Sequence, residues 1–176
     1  MSFRPDSVLL DKGVVRRIYE ARVRAALGAP PTPLQSEAAN VYALLRARGL
    51  QPCITEQTAH ILERRPPVFA AALLNQTLTL RKARYLRRWA RRLRDFVFSP
   101  EDAVIIAYGS FGLDLQTGQV GVEAVITNDN HMAINYRTRY AEINERFEAM
   151  VNGLTEPYHE LKLPHIVTAT EALAAL

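Results

Sequence analysis

VEAVITNDNHM, Val122–Met132, passes within eleven residues from an apolar run to a polar, acid-bearing one. An apolar run, Val122 to Ile126 with one Glu inside it, stops abruptly at Thr127-Asn128-Asp129. Strands buried on both faces read as near-continuous apolar runs, which is the mark of a parallel sheet covered on both sides. The spacing therefore predicts a central strand that delivers a carboxylate, Asp129, at its carboxyl end. Taken alone, Asp129 is equally a turn residue and a ligand, because Asp closes turns on its own backbone.

Working outward, similar runs recur. SVLLD (Ser7–Asp11) predicts a first buried strand, and GVVRRIYEARVRAAL follows it with helical spacing. GAPPTP (Gly28–Pro33) breaks the chain, and a second helix is expected from about Gln35 to Arg48 with Gly49 as its stop. PCIT (Pro52–Thr55) reads as strand two, with Thr55 capping a helix to about Arg64 that Pro66-Pro67 ends. One or two helices are expected over 68–94, and DFVF (Asp95–Phe98) is expected as strand three. SPED (Ser99–Asp102) is a helix start, with Ser at the cap, Pro in the first turn and acids behind it. GLDLQTGQVG reads as a loop before strand four, a polar helix spans roughly Tyr136 to Asn152, and HIVT (His165–Thr168) with TEALAAL closes the chain as strand five and a helix. Strands alternating with helices predict an α/β fold, a three-layer α/β/α sandwich around a mostly parallel five-stranded sheet. The whole of 1–176 reads as a single domain with helical elaborations at about 28–50 and 130–163.

Composition narrows the class. An apolar fraction of 48% and a charged fraction of 23% are those of an ordinary globule. One cysteine, Cys53, rules out an internal disulfide framework and fits a cytoplasmic location; it is expected to pack in strand two. The acids soon after the N-terminus argue against a signal peptide. The longest apolar run, Val68–Leu74, is far short of the ~18 residues a membrane helix needs, so no membrane partner is expected. The net charge of +4 is concentrated in RKARYLRRWARRLR (81–94), which carries eight of the 22 basic residues and no acid. On a helix, Tyr85, Leu86, Trp89, Ala90 and Leu93 share one face and the arginines the other, with Lys82 the exception on the apolar side. Trp89 is thus expected in the core. Arg81, Arg84, Arg87, Arg88 and Arg91 are candidates for phosphate contact, each guanidinium being able to hold an anion bidentately. The plainer reading of the same helix is contact with an acidic partner or a second copy of the chain.

Ligands of open parallel sheets bind outside the carboxyl ends of the strands. Asp11 ends strand one, Asp129 ends strand four, and Asp102 lies in the first turn of the helix after the expected third strand. Three carboxylates within ~5 Å repel by roughly 3 kcal/mol per pair at an effective dielectric near 20. Protons or a cation relieve that repulsion, and an all-oxygen set favours Mg²⁺ or Mn²⁺. For Asp102 the competing reading is local: SPED is a capping box. His131 is a candidate for phosphate binding or proton transfer as well as an ordinary loop histidine; His159 and His165 carry no recognisable spacing.

VLLDKGVV (Val8–Val15), SPEDAVIIAYGS (Ser99–Ser110) and AVITNDNHM (Ala124–Met132), in that order, resemble the PIN domain family of metal-dependent nucleases, and HIVTATEALAAL is similar to that family's closing strand and helix. The resemblance implies that Asp11, Asp102 and Asp129 are the catalytic, metal-binding acids and that Thr127 and Asn128 shape the loop presenting Asp129. It implies Mg²⁺ or Mn²⁺ as cofactor, single-stranded RNA as substrate, and for many small members a toxin role with an antitoxin partner; a homo-oligomer is expected. Two positions depart from the pattern. Gly13 stands where Asn or Ser is frequent. The family's further acid, in the helix after strand two, falls at His60 or Ile61, so Glu56, Glu63 or His60 is the candidate fourth ligand. The alternative reading is a catalytically degenerate module that binds RNA or a protein. A doubly wound nucleotide-binding domain is disfavoured, since LDKGVVRR offers no glycine-rich phosphate loop.

Overall fold

The computed structural model describes residues 6–176. In chain order these form β1 (Ser7–Leu10), α1 (Lys12–Ala26), α2 (Pro33–Ala47), β2 (Gln51–Thr55), α3 (Glu56–Glu63), α4 (Pro67–Gln76), β3 (Leu78–Lys82) and α5 (Leu86–Leu93). A 3₁₀ turn (Arg94–Phe96) then leads to α6 (Pro100–Phe111), β4 (Gly112–Asp114), β5 (Ala124–Thr127), α7 (Asn130–Thr138), α8 (Tyr140–Val151), β6 (His165–Thr168) and α9 (Ala169–Ala175). The sheet has six strands in the order β4-β3-β2-β1-β5-β6. β3, β2, β1, β5 and β6 run parallel to their neighbours, and β4 joins the β3 edge antiparallel.

Two-residue alternation divides the core. Val8 and Leu10 of β1, Ile54 of β2 and Ala124 and Ile126 of β5 pack on one face with Val14, Ile18, Val41, Leu45 and Leu73 of the surrounding helices. Leu9, Cys53, Leu80 and Val125 point the other way, against Trp89, Tyr108, Phe111, Tyr136 and Phe147. Both faces of the central strands are therefore apolar, which makes β1 and β5 unbroken apolar runs in the sequence. Leu9 is fully buried between β2 and β5, a setting in which truncation to Ala costs about 2–5 kcal/mol.

Local chemistry sets the helix ends. Ser99 accepts from the Asp102 amide at 3.1 Å while Asp102 accepts from the Ser99 amide at 3.3 Å, the reciprocal capping box expected of SPED. Thr32 with Gln35 and Thr168 with Glu171 build the same device for α2 and α9, and Thr55 caps α3 through the Thr58 amide. Gly49 closes α2 with a φ of 72°, a backbone state that favours glycine.

Four expectations are corrected. DFVF is not a strand: Arg94–Phe96 is a 3₁₀ turn and Val97 follows with a left-handed φ of 65°. Phe96 and Phe98 are both buried, so their alternation imitates a strand while they pack into the core instead of pairing with a neighbour. The third strand is β3, Leu78–Lys82, inside the region expected to be helical from 68 to 94. Arg81 and Lys82 therefore belong to a strand, and Lys82 is exposed against Glu56 at 3.7 Å. GLDLQTGQVG is more than a loop, since it contributes β4 and raises the strand number from five to six. Asp114 folds it back by accepting from the Gln116 amide at 3.0 Å and the Thr117 hydroxyl at 2.7 Å. The helix expected from Tyr136 to Asn152 is two helices, α7 beginning at Asn130 and α8 at Tyr140.

Candidate active site

Strand order reverses at β1: the chain moves outward through β2 and β3 on one side, then returns to place β5 on the other. The crevice at the carboxyl ends of β1 and β5 is the switch point at which such sheets bind ligands. Asp11 follows β1 directly, its amide donating to the Ile126 carbonyl at 2.9 Å, and Asp129 lies two residues beyond β5.

Asp11 occupies the N-cap position of α1, yet its side chain makes no capping hydrogen bond. An Asp cap stabilises a helix by about 1 kcal/mol, and here that contribution is forgone. The carboxylate turns to the β5 end, where the Thr127 hydroxyl donates to Oδ2 at 3.0 Å. Thr127 is itself fully buried and its Oγ1 accepts from the Asp129 amide at 3.0 Å, so one hydroxyl joins the ends of both strands. Burial pushes the Asp11 carboxyl above its usual range. The Thr127 hydroxyl, the Lys12 amide and the Lys12 charge oppose that rise, and the negative charge of Asp102 adds to it. Desolvated carboxylates near like charges are costly to a fold and collect at functional sites.

Asp129 is exposed and caps α7 by accepting from the Met132 amide at 3.0 Å. The cap reading of this residue is met, and its amide shares the Thr127 hydroxyl with the Asp11 carboxylate. Asp102 likewise serves the capping box of α6 and also lines a cavity of about 340 Å³ with His131 and Met132. Asn128, between the two strand-end residues, keeps a buried Nδ2 with no hydrogen-bond partner. A buried unpaired donor costs about 1–3 kcal/mol.

Asp11 faces a second cavity of about 200 Å³, lined also by Lys12, Thr55, Gln57, Thr58, Glu101 and Tyr108. Lys12 pairs with Glu101 at 3.4 Å at its wall. Glu101, Thr58 and Tyr108 escape the sequence reading. Glu101 carries a signal, an acid beside Asp102 in SPED, whereas Thr58 and Tyr108 depend on how α3 and α6 meet. The candidate fourth ligands do not line this cavity. Glu56 accepts from the Tyr108 hydroxyl at 2.9 Å. His60 sits between Glu63 at 3.3 Å and Arg64 at 2.7 Å on the exposed side of α3. Glu56, His60 and Glu63 line a different cavity, of about 540 Å³, with Arg81 and Asp114.

The three aspartates are not drawn into a tight ligand set. Among the described residues, the group of three whose ligand atoms lie within 4.8 Å of one another is Glu156, His159 and Glu160. These are exposed on the loop that leads into the start of β6, the end of the sheet opposite the switch point.

The arginine segment is divided by the β3 boundary. Arg81 is exposed on β3, and Arg84 lies over the Tyr85 ring at 5.4 Å. Arg87, Arg88 and Arg91 are exposed on α5, opposite the buried Leu86, Trp89, Ala90 and Leu93. Trp89 is a core residue with no exposed surface and stacks edge-on against Phe147. Arg92, one of the arginines of that polar face, is joined there by Arg146 of α8, which lies outside the basic segment. Arg92 loses basicity through partial burial and through the charges of Arg88 and Arg146, with Asp95 as the opposing acid. Among the described residues no helix is long and apolar enough to cross a membrane. No protein-family model matches the chain, and searches of curated proteins and of solved structures return no match.

Proposed function

We propose that this protein is a Mg²⁺- or Mn²⁺-dependent endoribonuclease of the PIN type, acting on single-stranded RNA. The observation that carries the reading is Asp11, a partly buried carboxylate at the switch point, withheld from the helix cap it is placed to make and held by Thr127, whose hydroxyl also receives the Asp129 amide. The donor set suits a hard cation: Asp11, Asp102 and Asp129 offer oxygen only, and Asp11 is desolvated with a like charge nearby. These three aspartates would have to draw together to hold the ion, which when bound would supply a more acidic water and offset charge building on the phosphate. Thr127 fixes the Asp11 carboxylate, and Lys12 brings a cation to the wall of the Asp11 cavity, where Glu101 holds it. The exposed arginines of α5 offer contacts for the RNA backbone.

A second reading, a degenerate module that binds RNA without cutting it, draws on α3. There Glu56 is engaged by Tyr108 and Lys82, and His60 and Glu63 pair with each other, so α3 offers no further acid to Asp11, Asp102 and Asp129. Cleavage of single-stranded RNA in Mn²⁺ by wild type, Asp11→Asn and Asp129→Asn separates the two. Activity lost in both variants and in chelator supports the nuclease. Equal cleavage by wild type and Asp11→Asn would sink it, and RNA binding without cleavage by the wild type would favour the module. A toxin role predicts growth arrest on expression that Asp11→Asn relieves.

A further inference from the structure

Val97 is the one non-glycine residue with positive φ among the described residues, at 65°, and it is β-branched. L-residues pay about 1–2 kcal/mol for this backbone state, and β-branched ones adopt it least readily. Its neighbours explain the geometry, since Phe96 and Phe98 are both anchored in the core and throw Val97 outward, 76% exposed. They do not explain the valine, because Gly or Asn would suit an exposed left-handed turn better. Strain retained at an exposed position points to a use for the side chain.

That side chain lies on the rim of the 340 Å³ cavity whose wall includes Asp102. Ile134 of α7 lines the same cavity and is 56% exposed. Asn135, also lining it, donates to the Phe96 carbonyl at 3.0 Å and so ties the strained turn to α7. The volume falls in the range of small-molecule sites, with an apolar rim and a few polar groups, among them His131 and Thr138. The basic surface adjoins it through the chain: Asp95, two residues before Val97, meets Arg146 at 3.3 Å. Arg88 and Arg146 each bring positive charge against Arg92, with Asp95 as the opposing acid.

We infer that this cavity takes one unstacked base of a single-stranded RNA, gripped between Val97 and Ile134, with the strand running on across Arg88, Arg92 and Arg146. The inference rests on the nuclease reading for its choice of ligand. It adds what that reading lacks, a base-contacting pocket beside the scissile position and a direction for the strand. Single-stranded RNA is recognised through splayed bases that need such a pocket, while arginines follow the backbone without regard to sequence.

The probe is a short, fluorescently labelled, mixed-sequence single-stranded RNA, with binding read by anisotropy and cleavage by gel in Mn²⁺. Val97→Asn suits the left-handed turn and Ile134→Gln suits an exposed helix, so both variants are expected to melt no lower than wild type. Each is expected to weaken binding about fivefold to tenfold, with the loss disappearing on RNA of the same length that lacks bases. Arg92→Ala and Arg146→Ala are expected each to reduce the salt dependence of binding, by about 0.7 in the slope of log K against log salt. Intact RNA bound equally by wild type, Val97→Asn and Ile134→Gln overturns the pocket, and does so even if Mn²⁺-dependent cleavage is found. Base-dependent binding lost in the two variants, without cleavage by the wild type, keeps the pocket and removes the nuclease. A wild type that binds no RNA removes both.

Discussion

Replacing Asp11 by Asn should make the metal-free protein more stable at neutral pH while abolishing its proposed activity. Burial raises the Asp11 carboxyl above 3.8, its value in the unfolded chain, and the hydrogen bonds and the Lys12 charge that oppose the rise do not cancel it. The folded state therefore binds this proton more tightly than the unfolded state. Below 3.8 both states are protonated and the group is neutral to stability. As pH rises through the window between 3.8 and the raised folded value, stability falls, and above that window the loss is constant. Each unit of upward shift corresponds to about 1.4 kcal/mol lost at neutral pH. Asn carries no charge to desolvate, and its carbonyl can still accept from the Thr127 hydroxyl.

For a chain of this size each kcal/mol moves the melting temperature by about 2–4 °C. In chelator near pH 7 the Asp11→Asn protein is expected to melt above wild type by that amount per kcal/mol relieved, and below the unfolded carboxyl range the gain should vanish. Adding Mn²⁺ should raise the wild-type melting temperature and leave the variant nearly unmoved, because a ligand that binds only the folded state stabilises in proportion to its occupancy. A variant that melts below wild type near pH 7 in chelator, or a gain that persists unchanged in acid, would refute the account of Asp11 as a carboxylate held at a cost.

Asp114 should behave in the opposite sense. Burial pushes its carboxyl up, but the Gln116 amide and the Thr117 hydroxyl and amide outweigh it and hold the group below 3.8. Its contribution is present above the unfolded value and lost as pH falls through the folded one, so Asp114→Asn should cost roughly 1–2 kcal/mol near neutrality and less in acid, read from denaturant curves at both pH values. Ser99→Ala removes one half of the α6 capping box and should cost about 1 kcal/mol, with a drop in melting temperature of about 2–4 °C. Gly13→Ser is expected to fit, since a Cβ at position 13 would sit 3.7 Å from Asp11 Oδ2, an ordinary contact. It should gain about 0.5 kcal/mol from helix propensity and tighten Mn²⁺ binding; a fall in melting temperature would show that the space is misjudged. Glu56→Gln should leave Mn²⁺ affinity by calorimetry within about twofold of wild type, because that carboxylate is engaged by Tyr108 and Lys82 and does not line the Asp11 cavity. A tenfold loss would make Glu56 the fourth ligand.

Features that depend on local chemistry were legible from residues alone. SPED announced a capping box because every partner lies within three residues, and the apolar runs of β1 and β5 announced central strands because both of their faces are covered. β3 was hidden by its position. Its pattern is half-exposed at the start and exposed at Arg81 and Lys82, and it follows α4 with no Gly or Pro between them. DFVF misleads in the converse way, since alternating buried phenylalanines are what a strand shows, while the 3₁₀ bond from the Val97 amide to the Arg94 carbonyl and the left-handed φ of Val97 make it a turn. β4 depends on pairing Leu80 with Asp114 across two intervening helices, α5 and α6, which no local pattern announces.

The site divides along the same line. Asp11 and Asp129 could be placed at strand ends because a parallel sheet presents the carboxyl ends of its strands on one side. What holds them there was not legible: the Thr127 hydroxyl reaches across 116 residues of sequence to Asp11, and Lys12 reaches across 89 to Glu101. These contacts change the weight of the argument more than its direction. An Asp at an N-cap is ordinarily explained by its helix, and that explanation covers Asp102 and Asp129, whose side chains do accept helix amides. It does not cover Asp11, which sits at the cap and leaves it unmade. Capping alone would account for two of the three acids whether or not the protein is an enzyme, so the functional reading stands or falls on the third. Asp11 is for that reason the residue at which stability and proposed activity are expected to move in opposite directions, a signature that a purely structural carboxylate such as Asp114 cannot produce.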